Sequence, residues 1–390
     1  MSALTMSARL GNDTDLRPVP WRRMAWVTWR QHRFALAGVA GLLGALAAYL
    51  LYTGLPMHHA YAAVTACHPA SSRACSNAIG DFDTAYWSTA EAIAVLLQVV
   101  PALIGAFAVA PILARELETG TFRYAWTQGI GRTRWTLAKL VPLAVTAAAA
   151  AGAFSVLFYW YFTPFADQGL DTRLPPLAPL VFDLHGVTFA TWTLAACAIG
   201  ALAGMLIRRV VPAIVATLVV YTGLALATAG FLRVHYLTPL LASINVNVPD
   251  DAWVISQWWS KDGRFAFGSY PPSNILNQFC ASPPAATGKA GAPQGWGPCL
   301  VQHGYTMWTS YQPASRFWPF QWIEGGWLLA LSALLIAATI WLVQRRAASR
   351  IPPLGEASCL GRGPGPRAVY RSNRPIEWVT WTRGGCDRSR

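Results

Sequence analysis

The sequence predicts an all-α polytopic membrane protein with six transmembrane helices, an amino-terminal interfacial helix and an outer domain between helices 5 and 6. Two features of the composition lead to this class. Hydrophobic residues make up 54% of the 390 residues and charged residues only 12%, which is about half the usual charged share of a globular protein. The apolar residues also come in long blocks rather than with the period of a strand or an amphipathic helix. A soluble enzyme, a disordered protein and a small disulfide-bonded scaffold are therefore excluded.

Residues 1–33 are polar and basic, and they contain no apolar core of a secretory signal. Within them, the stretch from Pro20 to Arg33 places tryptophans beside arginines directly before the first apolar block. This composition is typical of an amphipathic helix lying in the membrane interface, and an ordinary aromatic and basic flank is the alternative. The residues predicted to face the interface are Trp21, Trp26, Trp29 and Arg30.

Six apolar stretches reach the roughly 17–25 residues that a helix needs to cross the hydrocarbon core. They run from about Phe34 to Leu55, Ala92 to Ala114, Leu137 to Phe162, Val187 to Ile207, Val210 to Leu232 and Gly325 to Val343. Residues 34–232 therefore hold spans 1–5, residues 233–324 the outer domain and residues 325–343 span 6. Residues 344–390 form a basic tail that we expect to be disordered.

The distribution of lysine and arginine predicts the orientation. With both termini in the cytoplasm, 23 of the 30 basic residues fall in cytoplasmic segments, as the positive-inside rule requires. The net charge of +13 then reflects orientation and contact with the anionic lipid bilayer rather than nucleic-acid binding. We expect a multi-pass protein of the cell membrane.

Residues 233–324 form the longest segment between spans. Its seven tryptophans, with many prolines and glycines, are too aromatic for a linker, so we expect a small folded domain. Four cysteines fall in predicted outer loops, Cys67 and Cys75 after span 1 and Cys280 and Cys299 before span 6. Two disulfides in an oxidising compartment are predicted, with free thiols as the alternative. A metal site at the first pair is disfavoured, because its ligand spacing matches no known type.

The predicted spans contain almost no ionisable residue at depth. Glu91 lies near the outer edge and Lys139 near the inner edge, where long side chains can reach the interface. An ion-coupled transporter usually needs a buried acid or histidine near the midplane, and the chain has no GxxxxGK[ST] phosphate-binding loop. We therefore expect no catalytic residue, cofactor or energy source in this chain.

A few polar and small residues lie near the middle of the spans. The polar ones are expected to form hydrogen bonds between helices rather than to bind a substrate: Gln98, Thr146, Ser155 and Thr217. In span 4, Gly200 and Gly204 form a GxxxG pair, which predicts close packing against another helix.

The cytoplasmic segment 115–136 between spans 2 and 3 differs from its surroundings. Two carboxylates, Glu116 and Glu118, end the preceding helix, and Gly120-Thr121 supplies a break with a capping hydroxyl. Arg134 and Trp135 then lead into span 3. The segment is expected to form a small polar element held under the membrane by both spans, or a basic loop that only maintains orientation.

With six spans, this inner element and a large outer domain before span 6, the chain resembles ABC-2 type exporter permeases, in particular an actinobacterial branch. In such permeases span 2 is commonly followed by a glutamate, Gly-Thr, a Ser- or Gly-Arg turn and a lysine that enters span 3. The corresponding residues here are Glu116, Glu118, Gly120-Thr121, the run Gly131-Arg132-Thr133-Arg134-Trp135 and Lys139. The runs at 123–128 and 29–33 resemble that branch, and the arginine-rich tail departs from it.

The resemblance implies a transmembrane subunit that pairs with a second permease subunit and with separate ATP-binding-cassette ATPase subunits, which hold the ATP. It also implies that the inner element is a coupling helix that docks on the ATPase. The residues expected to contact or shape this interface are Glu116, Glu118, Gly120, Thr121, Phe122, Arg123, Trp126, Gly129, Arg132 and Arg134.

The function expected from these features is outward export of a hydrophobic or amphipathic compound, driven by ATP hydrolysis in the partner. The alternative is a membrane sensor or scaffold that binds cell-envelope material through the tryptophan-rich outer domain. Ion-coupled transport would need an acid at depth, and Glu91 is its candidate.

Overall fold

A computed structural model of the chain describes residues 21–67, 72–120, 132–166, 174–244, 246–280 and 296–348. At residues 21–29, 31–32, 34–36, 132 and 346–348 it describes the backbone alone. Most of the basic tail predicted at 344–390 thus lies outside the described residues, as does the start of the amino-terminal segment.

Six helices among the described residues are long and apolar enough to cross a membrane, which confirms the six predicted spans. They are span 1 Ala37–Thr65, span 2 Arg73–Thr119, span 3 Thr133–Ala166, span 4 Thr188–Ile207, span 5 Val210–His235 and span 6 Ala314–Arg345. Successive spans cross in opposite directions. The connections 66–72, 167–187 and 236–313 therefore share one side, called the sheet side, and the other two connections lie on the opposite side.

The helix of span 1 begins at Trp21 and runs without a boundary to Thr65. We predicted a separate interfacial helix before the span, but the structure joins the two, because no proline or glycine interrupts the helix between residues 21 and 37. Trp21, Trp26 and Trp29 lie in its first turns, and Arg30 is exposed. Contact of these residues with the membrane interface stays a prediction.

Span 2 is longer than a membrane is thick. Its 47 residues correspond to roughly 70 Å of helix, whereas the hydrocarbon core measures about 30 Å. Its more polar first half, on the sheet side, is therefore the part that we expect to project beyond the bilayer. There, the ring of Phe82 lies 5.9 Å from that of Tyr61 and 5.7 Å from that of Phe165, so the projection is held by the ends of spans 1 and 3.

Spans 2 and 4 form the centre of the bundle, since most residues in their most apolar stretches are buried, whereas in spans 1, 3, 5 and 6 fewer than a third of the corresponding residues are buried. The two central helices meet at a π-helical turn, Ile104–Val109, in span 2. A Cβ atom at Gly200 would overlap with the carbonyl oxygen of Gly105, and one at Gly204 would lie 2.5 Å from that of Ala110. The GxxxG pair therefore packs directly against backbone, as its spacing predicted.

Residues 236–313 add a sheet that the all-α class did not anticipate. The described strands are β1 Leu240–Ser243, β2 Trp253–Lys261, β3 Arg264–Gly268 and β4 Tyr305–Gln312. They pair antiparallel in the order β1-β4-β2-β3. The all-α class is therefore confirmed for the membrane part, whereas the sequence had predicted only a small folded domain for this region, in which alternating aromatic residues favour strands.

The core of the sheet region contains Trp259, Phe267, Leu300 and Tyr305. Two short helices, Ser273–Phe279 and Gly297–Gln302, pack against it.

Span 5 extends three residues beyond its predicted end at Leu232, and the helix that contains span 6, Phe317–Ala348, begins eight residues before the predicted Gly325. The sheet region is correspondingly smaller than the 233–324 segment assigned from the sequence.

All four cysteines assigned to outer loops are paired. Cys67 is joined to Cys75, which links the end of the span 1 helix to the first turn of span 2. Cys280 is joined to Cys299, which links the two short helices beside the sheet. Both disulfides lie on the sheet side.

The contact between spans 2 and 4 leads to a first prediction. Gly200→Ala should lower the stability of the folded chain by about 2 kcal/mol, because the added methyl group forces two backbones apart. Gly223→Ala is the matched control, since no atom lies within 4 Å of a Cβ placed there. Thermal unfolding of the purified full chain measures both, and equal midpoints for the two variants would contradict the proposed packing.

Candidate functional site

On the side of the helix bundle opposite the sheet, the ends of spans 2 and 3 flank the predicted coupling element. Span 2 ends at Thr119, and Gly120 follows with a φ of 73°, the left-handed conformation with which many helices end and which glycine adopts readily. The helix containing span 3 begins at Arg132, and Arg134 in its first turn is half-buried. The remaining predicted docking residues lie outside the described residues: Thr121, Phe122, Arg123, Trp126 and Gly129.

An ion pair joins the two helices at this position. The ammonium group of Lys139 on span 3 donates a hydrogen bond to Oε1 of Glu116 on the last turns of span 2. The ammonium nitrogen also lies 4.5 Å from the ring centroid of Trp135, one turn earlier, and Lys139 is only 6% exposed. Such a pair, largely removed from water, fixes the separation of the two helix ends more firmly than a surface ion pair does.

The second carboxylate contacts another helix. The backbone N–H of Val210, the first residue of span 5, donates to Oε2 of Glu118 at 3.4 Å. Span 5 has no side-chain cap of its own, so the carboxylate interacts favourably with the positive end of its dipole. In addition, the side chain of Gln344 on span 6 donates to Oγ1 of Thr133 on span 3 at 2.9 Å.

Spans 2, 3, 5 and 6 are thus tied together next to residues 121–131. We call the pairs Glu116–Lys139 and Glu118–Val210 the brace. Both carboxylates had been assigned from the sequence to contact with a partner protein, and that contact stays a prediction. The structure gives each of them a hydrogen-bond partner within the chain, so that they hold together the helix ends next to residues 121–131.

A second polar site lies at the sheet-side ends of spans 5 and 6. Arg233 donates to Glu324 through Nε at 3.1 Å and through Nη2 at 2.9 Å. The same Nη2 also donates to Oδ1 of Asp183 in the connection between spans 3 and 4. Arg233 and Glu324 are completely buried. We call these three residues the charge cluster.

Aromatic residues surround the charge cluster and supply further hydrogen bonds. Nε1 of Trp192 on span 4 donates to Oε1 of Glu324 at 2.9 Å, and the hydroxyl of Tyr236 donates to Oε2 at 3.2 Å. Trp327 donates in turn to that hydroxyl at 2.9 Å. The guanidinium carbon of Arg233 lies 4.4 Å from the ring centroid of Phe182, a cation–π distance. Burial, together with Glu324, raises the pKa of Tyr236, so this hydroxyl stays a donor at neutral pH.

The connection 174–187 is held between the spans by side chains. Gln98 on span 2 donates to the carbonyls of Pro179 and Leu180 at 3.2 and 2.8 Å, and Ser155 on span 3 donates to that of Gly186 at 3.1 Å. Gln321 accepts from the backbone N–H groups of Val187 and Thr188 and donates to the carbonyl of Phe182. These bonds satisfy backbone groups that would otherwise be buried without partners.

The predicted hydrogen bonds between membrane spans are replaced for Gln98 and Ser155 by bonds to the connection 174–187. Thr146 and Thr217 bond only to carbonyls of their own helices.

Glu91, the candidate for ion coupling, is exposed. His185 packs against the ring of Phe158 at 5.2 Å, and burial lowers the pKa of His185 to about 4, so the imidazole is neutral at physiological pH.

Sequence reasoning missed the charge cluster. Arg233 and Glu324 had been placed in the outer domain, and Asp183 between the predicted spans 3 and 4, so a buried cluster of charges was not expected there. One signal was present in the sequence. Arg233 stands directly at the end of an apolar run, on the side that the positive-inside rule leaves poor in basic residues.

Comparison with known proteins yields one family. A family model described as "ABC-2 membrane transporter related" matches residues 40–233, from span 1 to the arginine of the charge cluster. Among curated proteins and among solved structures, nothing matches the chain.

The brace leads to a second prediction. Lys139→Met should destabilise the folded chain by about 3 kcal/mol, because it leaves the partly buried carboxylate of Glu116 without its cation. The double variant Glu116→Lys with Lys139→Glu restores opposite charges and should recover much of the loss. Glu91→Gln is the exposed control. Thermal unfolding separates these outcomes, and a double variant no more stable than Lys139→Met would argue against a direct pair.

The charge cluster leads to a third prediction. Arg233→Met leaves two carboxylates facing each other in a buried site, so we expect a loss of about 4 kcal/mol and little folded protein. Arg209→Met, at the exposed opposite end of span 5, should have almost no effect. The yield of monodisperse protein in size-exclusion chromatography gives the readout, and normal yield of Arg233→Met would show that the cluster is not needed for folding.

Proposed function

This chain belongs to the ABC-2 related family of membrane transporter components, and from this premise we propose that it exports a hydrophobic or amphipathic compound from the cytoplasm. The family supports a role as the membrane permease component of an ABC transporter. The direction of transport, the class of substrate and the docking site of the ATPase are parts of the proposal.

The brace is the observation that best supports this function. Glu116–Lys139 and Glu118–Val210 join spans 2, 3 and 5 around residues 121–131. A displacement of that segment would therefore be passed to three helices as a rigid-body movement. We propose that a separate ATP-binding-cassette ATPase docks there, through Thr121, Phe122, Arg123 and Trp126, with Arg132 and Arg134 at the margin. ATP is the cofactor of that subunit.

Charge and redox chemistry support an orientation with both termini in the cytoplasm. Twenty-three of the 30 basic residues belong to the termini and the opposite side. Both disulfides lie on the sheet side, which suits an oxidising compartment. We therefore propose that the sheet region is extracytoplasmic and that the brace faces the cytoplasm.

The chemistry of the membrane part supports the proposed class of substrate. A cavity of about 260 Å³ between spans 2, 3, 4 and 6 is lined mainly by leucine, alanine and valine, with Ser332 and Cys197. A larger one of about 470 Å³ between spans 1 and 2 combines apolar residues with Tyr49, Ser88 and Thr89. We propose that transport takes place with a second permease subunit, identical or different, packed against the exposed spans.

The alternative of a sensor or scaffold is not favoured by the sheet region. Its tryptophans were expected to bind cell-envelope material, but Trp253 and Trp259 are buried within the protein, and Trp258 and Trp308 are half-buried. The exposed Trp318 and Trp322 lie instead on the helix that contains span 6. A tryptophan-lined recognition surface is therefore not formed by the strands.

Co-purification tests the docking proposal. The chain is co-expressed with candidate ATP-binding-cassette ATPase subunits from the same genome, and the complex is expected to show ATPase activity while the permease alone shows none. Arg123→Glu combined with Trp126→Ala should abolish the complex, because the change removes an aromatic contact and reverses a charge at the proposed interface. The matched control makes the same two types of substitution on the sheet side, Arg264→Glu with Trp318→Ala. Unchanged assembly of the first variant would refute the docking site.

A further inference from the structure

The charge cluster contains one more negative than positive group. Arg233 is its single cation, and both Asp183 and Glu324 bond to it. The groups that face Asp183 from the packed elements are Gln98, Trp192, Tyr221, Arg233 and Glu324. Among these described neighbours only Arg233 carries a positive charge, so the cluster has a formal charge of −1 when both acids are ionised.

The two carboxylates lie close together. An oxygen of each accepts a hydrogen bond from the same atom, Nη2 of Arg233. Two carboxylates that share one site in this way do not both ionise readily, since the second negative charge is repelled by the first. A buried site makes this repulsion stronger than it would be in water.

The two acids differ in the number of hydrogen bonds that their carboxylates accept. Glu324 is fully buried and accepts four hydrogen bonds, two from Arg233 and one each from Trp192 and Tyr236. Asp183 accepts a bond from Arg233 alone among the described residues, and its side chain is 18% exposed. Asp183 is therefore the acid whose negative charge has the weaker support from hydrogen bonds.

A cavity adjoins Asp183. It has a volume of about 30 Å³ and lies between spans 2, 4 and 5, lined by Gln98, Trp192 and Tyr221 among others. This is enough room for about two water molecules, with polar groups to hold them. Water there could carry a proton to the carboxylate, and Tyr221 and Gln98 supply hydrogen-bonding partners along the wall.

We propose that Asp183 is a proton-binding site, at which one proton from the cavity neutralises the charge cluster and secures the connection 174–187 against spans 5 and 6. The proton bonds to the carboxylate oxygen not held by Arg233, and its release restores the charge of −1. Burial, reinforced by Glu324 and opposed by Arg233, raises the pKa of Asp183 well above its ordinary value, in agreement with this assignment. ATP hydrolysis in the partner stays the proposed source of work.

The sign of the pH dependence follows from the raised pKa. An aspartate in the unfolded chain ionises near pH 3.9, whereas folded Asp183 keeps its proton to higher pH. Stability should therefore fall as pH rises from about 4 up to the folded pKa, and be constant above it. His185, whose pKa is lowered to about 4, acts in the opposite direction below about pH 6.5, so only the difference between variants isolates Asp183.

Infrared spectroscopy of the purified full chain tests the proposal directly. At about pH 5 the wild type should show the band of a buried protonated carboxyl group, which disappears with the loss of one proton as pH rises. Asp183→Asn should lack this band, while the exposed control Asp81→Asn keeps it. A band that persists in Asp183→Asn overturns the assignment.

The variant Glu324→Gln provides an independent test of the proposal if Asp183→Asn folds poorly. It removes the competing charge, so Asp183 should ionise beside Arg233, and the carboxyl band should be lost at about pH 5. Persistence of the band in this variant also overturns the proposal.

The thermal midpoint of wild type should fall by about 2 °C per pH unit relative to that of Asp183→Asn. None of these measurements requires the ATPase, so failure here is distinguishable from failure of the docking proposal.

Discussion

The structure depends on one constraint, that a polar or charged group near the hydrocarbon core must find its partner within the protein. Both ends of the helix bundle meet this constraint by joining helices to one another. On the opposite side, Lys139 and Glu116 satisfy each other and thereby fix spans 2 and 3. On the sheet side, Arg233 satisfies Glu324 and Asp183 and so connects spans 5 and 6 to the connection 174–187. These polar residues thus help to determine which helix ends stay together, in addition to aromatic contacts such as that between Phe82 and Phe165.

Between these two ends, the packing of spans 2 and 4 offers a stiff connection. The backbones meet at Gly105, Gly200 and Gly204 with no side chain between them, so neither helix can slide or rotate much without a clash. Span 2 carries Glu116 at one end, and span 4 carries Trp192, which bonds to Glu324, near the other. A movement imposed at the brace therefore reaches the charge cluster through close-packed backbone rather than through a chain of flexible side chains.

A structural feature can be predicted from the sequence when residues close together in the chain determine it. The six spans follow from uninterrupted apolar runs, and the GxxxG spacing indicates a close contact although not its partner, Gly105. The Asp262-Gly263 pair, with φ values of 52° and 75°, is a local hairpin signal between β2 and β3 that the tryptophan-rich composition obscured. The pairing of β1 with β4 joins Leu240 to Tyr311, and the charge cluster joins residues 183, 233 and 324. Neither has a local signature, because the partners come together only when the fold forms.

The two polar ends differ in a way that bears on mechanism. Within the brace, the Glu116–Lys139 pair joins one carboxylate to one cation, so the formal charge of this pair is zero, whereas the carboxylate of Glu118 is exposed to water. The charge cluster has a second carboxylate, and it lies where the connection 174–187 meets spans 4, 5 and 6. A site with unbalanced charge is sensitive to any rearrangement that lets water reach it, since hydration removes the reason for one acid to remain neutral. The brace is therefore suited to transmit a movement, and the charge cluster to respond when water gains access to it.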